Sequence, residues 1–204
     1  MSGKRAYTSP SRELGAAETR ASILRGASEL FAVRGYARVS VADIAAAAGV
    51  AAKTVYASVG GKAAILNEIV DRAVVESPGA ATVEAVRSLS GIDEVLRELA
   101  SGTRRGNEGQ AVPLEAVYKA LPVHEEGEAL WERTTASYLE ALAQVAEHLR
   151  SLGALRPGMS TGEAADLLWL WFGPASWRTL VSERGWSWDR AEEALYRSAL
   201  ASLR

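Results

Sequence analysis

The sequence predicts an all-α chain of about nine helices, with a small three-helix head followed by a larger helical body. Three observations carry that expectation. No stretch sustains the alternation of β-branched or aromatic with polar residues that a half-buried strand requires. Apolar residues recur instead at three- and four-residue spacing along most of the 204 residues. Finally, a lone glycine, Gly49, interrupts the alanine-rich run 40–62 and splits it into two short helical segments.

Residues 1–16 hold Gly3, Pro10 and Gly15 with the basic Lys4, Arg5 and Arg12, and read as a flexible basic arm. Ile23, Leu24, Ala27, Leu30 and Phe31 then share one face of a helix expected over 17–34, which Gly35 ends. Short helices at 41–48 and 52–58 and a longer one over 62–75 complete the head, assigned to 17–75. "ESPGA" at 76–80 breaks the pattern, and the body is assigned to 80–204. Its helices are expected over 82–105, 109–120 and 128–152, the last with Leu130, Trp131, Tyr138, Leu142, Val145 and Leu149 on one stripe. A penultimate helix over 162–184 carries the most apolar run, and Pro174 is expected to kink it near Leu170. Ser187 caps the last helix, 188–203.

Composition removes several chemistries. The chain has no cysteine, which excludes disulfides, thiolate metal sites and a cysteine nucleophile. Its two histidines, His124 and His148, have no carboxylates at ligand or triad spacing, so no metal, no catalytic residue and no cofactor is expected. The first residues lack the apolar core of a signal peptide, and no run is long enough to span a bilayer. A cytoplasmic location is the expectation. The net charge of −2 conceals an asymmetry: residues 1–62 carry nine Lys/Arg against four acids, and the remaining 142 carry fourteen against twenty-one. A basic head on an acidic body suits a protein that meets phosphate at one end only.

Gly49 fits a tight turn between two helices, where a positive φ costs least for glycine. Ala45, four residues earlier, is small enough to let the helices touch. Ile44, Val50 and Val55 bury the joint, and Ser40 with Asp43 forms a capping box. Together these residues make a helix-turn-helix.

The segment 23–66, "ILRGASELFAVRGYARVSVADIAAAAGVAAKTVYASVGGKAAIL", resembles the DNA-binding head of the tetracycline-repressor (TetR) family of bacterial transcription regulators. The resemblance lies in Phe31, Gly35 and Tyr36, the Ser40-capped helix, Gly49-Val50, Tyr56 at the end of the recognition helix, and Lys62 opening the next helix. Ser58 and Val59 depart from it, since the family usually has His-Phe there. In the recognition helix Val55 faces inward, leaving Ala51, Ala52, Lys53, Thr54, Tyr56 and Ser58 to face double-stranded DNA. Lys53 suits guanine O6/N7, and Thr54 suits a phosphate or a thymine methyl. Tyr56 suits a phosphate oxygen, as the resemblance also implies. Ser40 and Lys62 are expected to add phosphate contacts. With no Arg, Asn or Gln in this helix, alanine–methyl contacts, DNA shape and the basic arm would supply the specificity.

The body is expected to pair and to sense. Leu168, Trp171 and Ala175 on the penultimate helix, with Leu195 and Ala199 on the last, are the candidate homodimer interface, since a helix apolar almost all round is buried on both sides. Tyr118, Trp131, Tyr138, Trp169 and Phe172, with Glu115 and His124 as polar groups, are the candidate lining for a small apolar or aromatic effector. The expected function is a ligand-responsive repressor acting as a homodimer on a palindromic operator. The alternative is a helical enzyme or small-molecule carrier whose head only resembles a DNA-binding motif.

Overall fold

The computed structural model describes residues 10–204, with side chains from residue 13 onward. They form two compact units. One ends its first segment at Arg72 and takes in Glu115–Leu130; the other comprises Ala73–Leu114 and Trp131–Arg204. Among the described residues there is no strand, and no helix is long and apolar enough to cross a membrane.

The first unit opens with α1 (Pro10–Arg34), followed by a 3-10 turn (Tyr36–Arg38), α2 (Val41–Ala48), α3 (Ala52–Ser58) and α4 (Lys62–Val75), whose residues from Ala73 onward belong to the second unit. Helix α1 starts at Pro10, seven residues before the expected start at Ala17, so residues 10–16 are not part of a flexible arm. Proline at the first helical position has its φ already set, and "SRELGAAE" contains only one weak helix former, Gly15, around which nothing crowds. Lys4 and Arg5, and the side chain of Arg12, lie outside the described residues. Ile23, Leu24, Ala27 and Phe31 from α1 meet Ile44 and Ala45 from α2, Val55 from α3, and Ile65, Leu66 and Ile69 from α4 in one buried core. Gly26 lets α1 and α2 cross closely, because a Cβ there would stand 3.2 Å from that of Ala47.

The sequence pattern assigns 115–130 to the body, yet this segment packs in the first unit. Lys119 Nζ donates to the carbonyl of Ala32 and reaches that of Val33 at 3.5 Å, so a cation satisfies the negative end of α1. The His124 ring lies 5.4 Å from that of Tyr36.

In the second unit run α5 (Gly79–Arg87), α6 (Ile92–Gly109), the first residues of α7 (Ala111–Ala120), most of α8 (Gly127–Ser151), α9 (Thr161–Phe172), α10 (Pro174–Trp177) with a π-helical turn after it (Arg178–Glu183), and α11 (Trp188–Leu203). The nine expected helical segments are present, and two of them are interrupted. Residues 88–91 divide the first body helix into α5 and α6. At the second break Pro174 does not kink a continuous helix: α9 ends at Phe172, Gly173 is extended (φ −64°, ψ 157°) and Pro174 opens α10. A residue before proline is pushed out of the helical region, and proline itself fits the first position of a new helix.

The core of this unit joins Leu96, Leu142, Leu149, Leu168, Phe172, Trp177, Leu195 and Ala199. Arg104 ties α6 to the start of α11 through Asp189 (2.5 Å) and Glu192 (2.8 Å). The expected dimer interface therefore needs revision. Leu168, Leu195 and Ala199 are fully or almost fully buried in the chain's own core. Trp171 is half-buried and donates to Ser202 Oγ at 3.0 Å, while Ala175 is exposed. The apolar surface that α9 leaves open is Leu170, 54% exposed. An all-round apolar sequence announces burial on several sides but does not say which side the same chain covers.

Candidate nucleic-acid interface

The helix-turn-helix forms as its local sequence demands. Ser40, extended, caps α2: its Oγ accepts from the Asp43 N–H at 3.2 Å, and Asp43 Oδ2 accepts from the Ser40 N–H (2.8 Å) and hydroxyl (2.5 Å). These hydrogen bonds from Ser40, aided by Arg34 at 3.7 Å, hold the Asp43 carboxyl below its ordinary range. At the other end Gly49 is left-handed (φ 69°, ψ 29°). Its N–H bonds to Ala46 O at 3.2 Å and that of Val50 to Ala45 O at 3.0 Å, closing α2 and releasing the chain into α3.

Helix α3 buries only Val55. Ala51, Ala52, Lys53 and Tyr56 are exposed, and Thr54 and Ser58 are half-buried. Tyr56 is 59% exposed, so its ring and hydroxyl face solvent. The end of α3 is anchored from behind. The Arg20 guanidinium forks onto both Glu68 oxygens at 2.5 Å and also donates to the Ser58 carbonyl, so α1, α3 and α4 are pinned at one point. Arg20 was not a sequence candidate, although it stands three and four residues before Ile23 and Leu24, on the core face of α1. Its position on that stripe is the signal that marks it.

Two expected DNA contacts are engaged within the protein. Lys62 Nζ donates to the Tyr36 carbonyl at 2.9 Å and sits 4.3 Å from the centroid of the Tyr36 ring, so its charge secures the start of α4 to the 3-10 turn. The Ser40 hydroxyl is bound to Asp43. Lys53, and also Arg38 on the exposed turn just before α2, have no ion-pair partner among the described residues. The outward set is therefore Arg38, Lys53, Thr54 and Tyr56, with Ala51 and Ala52 offering methyl groups.

The seven expected effector-lining residues divide. Glu115, Tyr118 and His124 belong to the first unit. Glu115 lies 3.5 Å from Lys119, and His124 Nδ1 accepts from the Glu126 N–H at 3.1 Å beside Tyr36. Burial, then the nearby Glu125 charge, raises the Tyr36 hydroxyl above its ordinary pKa. Trp131, Tyr138, Trp169 and Phe172 belong to the second unit and do come together. The Trp169 ring is 6.5 Å from that of Trp131 and 5.8 Å from that of Tyr138, both edge-to-face. The Tyr138 hydroxyl donates to the Phe172 carbonyl at 2.5 Å and accepts from Asn107 Nδ2 at 3.3 Å. Among the described residues, no group of three or more His, Asp or Glu side chains is placed to hold a metal.

Residues 23–69 match the family model described as bacterial regulatory proteins, tetR family. A search of curated proteins finds no match. Among solved structures, the chain is similar to the TetR family transcriptional regulator PfmR from Thermus thermophilus (23% identity, 89% of this chain and 94% of that one, TM-score 0.68). It is also similar to the transcriptional regulator FadR from Bacillus subtilis in complex with stearoyl-CoA (16% identity, 90% and 99%, TM-score 0.72). A third likeness is to a transcriptional regulator from Saccharomonospora viridis in complex with choline (22% identity, 89% and 95%, TM-score 0.68). At these identities the likeness is one of fold.

Proposed function

We propose that this chain, whose residues 23–69 carry the tetR-family head, is a ligand-responsive transcriptional repressor that binds a palindromic operator as a homodimer. The head and the all-α fold support a DNA-binding transcriptional regulator; repression, pairing and sensing are the further reading. The observation that carries it is α3: a short helix locked from behind by Val55 and the Arg20–Glu68 fork, and presenting Lys53, Thr54 and Tyr56 outward. One such helix fills one half-site, and two related by a two-fold axis fill a palindrome. Lys53 and Arg38 supply charge toward DNA, Tyr56 a hydroxyl for a phosphate oxygen, and Ala51 and Ala52 contacts to thymine methyls. The second copy would dock on the surface of α9 and α10 that includes Leu170, Trp171 and Ala175.

A small molecule would be the signal, and the cytoplasm the place of action. Stearoyl-CoA and choline, bound by two proteins of this fold, carry opposite charges, so the class of effector has to be read from this chain's own lining. Gel shift against DNA flanking the chain's own gene tests the reading. One retarded fragment is expected, with affinity falling steeply as salt rises. Sedimentation at micromolar concentration should show a dimer. A monomer that retards no fragment would remove the proposal.

A further inference from the structure

A gap between α5 and α8 in the second unit has two parts. Its outer part is an open groove of about 500 Å³ lined by the end of α4, by α5 and by α8. Its inner part is a cavity of about 30 Å³ among α5, α6 and α8. Ser77, Gly79, Val83 and Ala141 line both, so the two adjoin at a waist of small side chains. Gly79 keeps the waist open: a Cβ there would stand 3.9 Å from that of Ala141, in van der Waals contact.

The two parts differ in chemistry. The cavity walls include Val83, Leu99 and Leu142, and each hydroxyl beside them that donates a hydrogen bond is already committed. Thr82 donates to Pro78 O, Thr103 to the Leu99 or Ala100 carbonyl, and Tyr138 to Phe172 O. A polar group entering there would lose its water and find these donors engaged, whereas hydrocarbon loses nothing. The groove carries three charged side chains, Glu84, Arg87 and Glu140. The Arg87 guanidinium is already held by Gln144 Oε1 at 2.9 Å and Glu84 at 3.6 Å. Glu140 has no ion-pair partner among the described residues, and the groove is left with a net negative charge.

We infer that this gap is the effector site and that it takes a cationic amphiphile. An amine or quaternary ammonium head lies at Glu140, an alkyl chain lies along the groove, and only its tip passes Ala141 into the small cavity. Of the residues expected to line an effector pocket, Tyr138 alone lines this cavity, so an aliphatic chain replaces the aromatic ligand that the sequence suggested. The chain tip would lie against Tyr138, whose ring packs on Trp169, and tryptophan emission would report its arrival. The assignment rests on the proposed sensor role only for its link to DNA; binding itself does not depend on that role.

The test uses the full-length chain with decyltrimethylammonium and decanoate, each below its micelle concentration, followed by calorimetry and tryptophan fluorescence. Decyltrimethylammonium should bind and shift the emission, with decanoate about tenfold weaker. Glu140→Gln, an exposed change that leaves the core intact, should weaken the cationic probe about three- to fivefold, as loss of an exposed ion pair does, and leave decanoate no weaker. Ala141→Trp should abolish both, with circular dichroism confirming the fold. Decanoate binding as tightly as the amine, an unchanged affinity in Glu140→Gln, or a folded wild type that binds neither probe would overturn the assignment. If the amine binds as described but leaves DNA affinity unchanged, the site stands and the sensor role fails.

Discussion

Gly49 and Gly173 each separate two helices, and they do so for opposite reasons. Gly49 is left-handed, and a Cβ there would meet nothing within 4 Å; the conformation alone calls for glycine. Gly173 has an ordinary extended backbone, but a Cβ there would stand 2.4 Å from the Trp169 carbonyl oxygen and 3.2 Å from the Trp169 ring. There the requirement is space. The joint in the head is thus set by the glycine's own conformation, and the joint in the body by the room that glycine leaves for Trp169 one turn earlier.

Substitutions at and around the two joints should separate these causes. The largest effect is expected one turn before the body's joint: Leu168→Glu buries an unpaired carboxylate in the core and should cost about 4 kcal/mol or more, seen as loss of cooperative unfolding. Leu170→Glu, two residues on but exposed, should keep its melting temperature and instead weaken self-association in sedimentation. Gly173→Ala should cost about 3 kcal/mol in urea unfolding, because backbone must move to admit the methyl. Gly49→Ala should cost about 1–2 kcal/mol, the penalty of a left-handed alanine without a clash. If Gly49→Ala proved the more damaging of the two, the contrast between conformation and space would be wrong.

The smallest effect concerns the cap beside the first joint. Ser40→Ala should lower the melting temperature by about 2–4 °C near neutral pH. Asp43 has a folded pKa below its unfolded value, so its contribution is present above the unfolded value, near 4, and is lost as pH falls through the folded one. The gap between wild type and Ser40→Ala should therefore narrow below about pH 4. A gap constant from pH 7 to pH 3 would show that the ionised carboxylate adds nothing to the cap.

Distance along the chain decides what the sequence reveals. The capping box, the left-handed glycine, the buried Ile44, Ala45 and Val55 and the outward Lys53 and Tyr56 all follow from residues within twenty positions of one another. They are legible because helical periodicity and turn chemistry are local. What was missed depends on partners distant in the chain: Arg20 reaching Glu68, Lys119 capping α1, and Lys62 turned onto Tyr36. For Leu168, Leu195 and Ala199, apolar spacing marks burial correctly, yet whether the covering surface belongs to the same chain or a second one is a tertiary fact. The gap beside Ala141 was illegible because its small residues come from separate helices.

On the proposed function, α3 meets DNA through its outward residues while Lys62 acts inside the head. Fluorescence anisotropy on the DNA fragment that the wild type retards tests this most directly, comparing Lys53→Ala/Tyr56→Phe with Lys62→Met. The double substitution should weaken binding at least tenfold with an unchanged melting temperature, because both side chains are exposed. Lys62→Met should lower the melting temperature, and its DNA-binding salt slope should stay within half a unit of the wild type's, since no phosphate contact is lost. A double variant that binds as tightly as wild type, or a Lys62→Met protein whose salt slope falls by a full unit at unchanged stability, would contradict the claim.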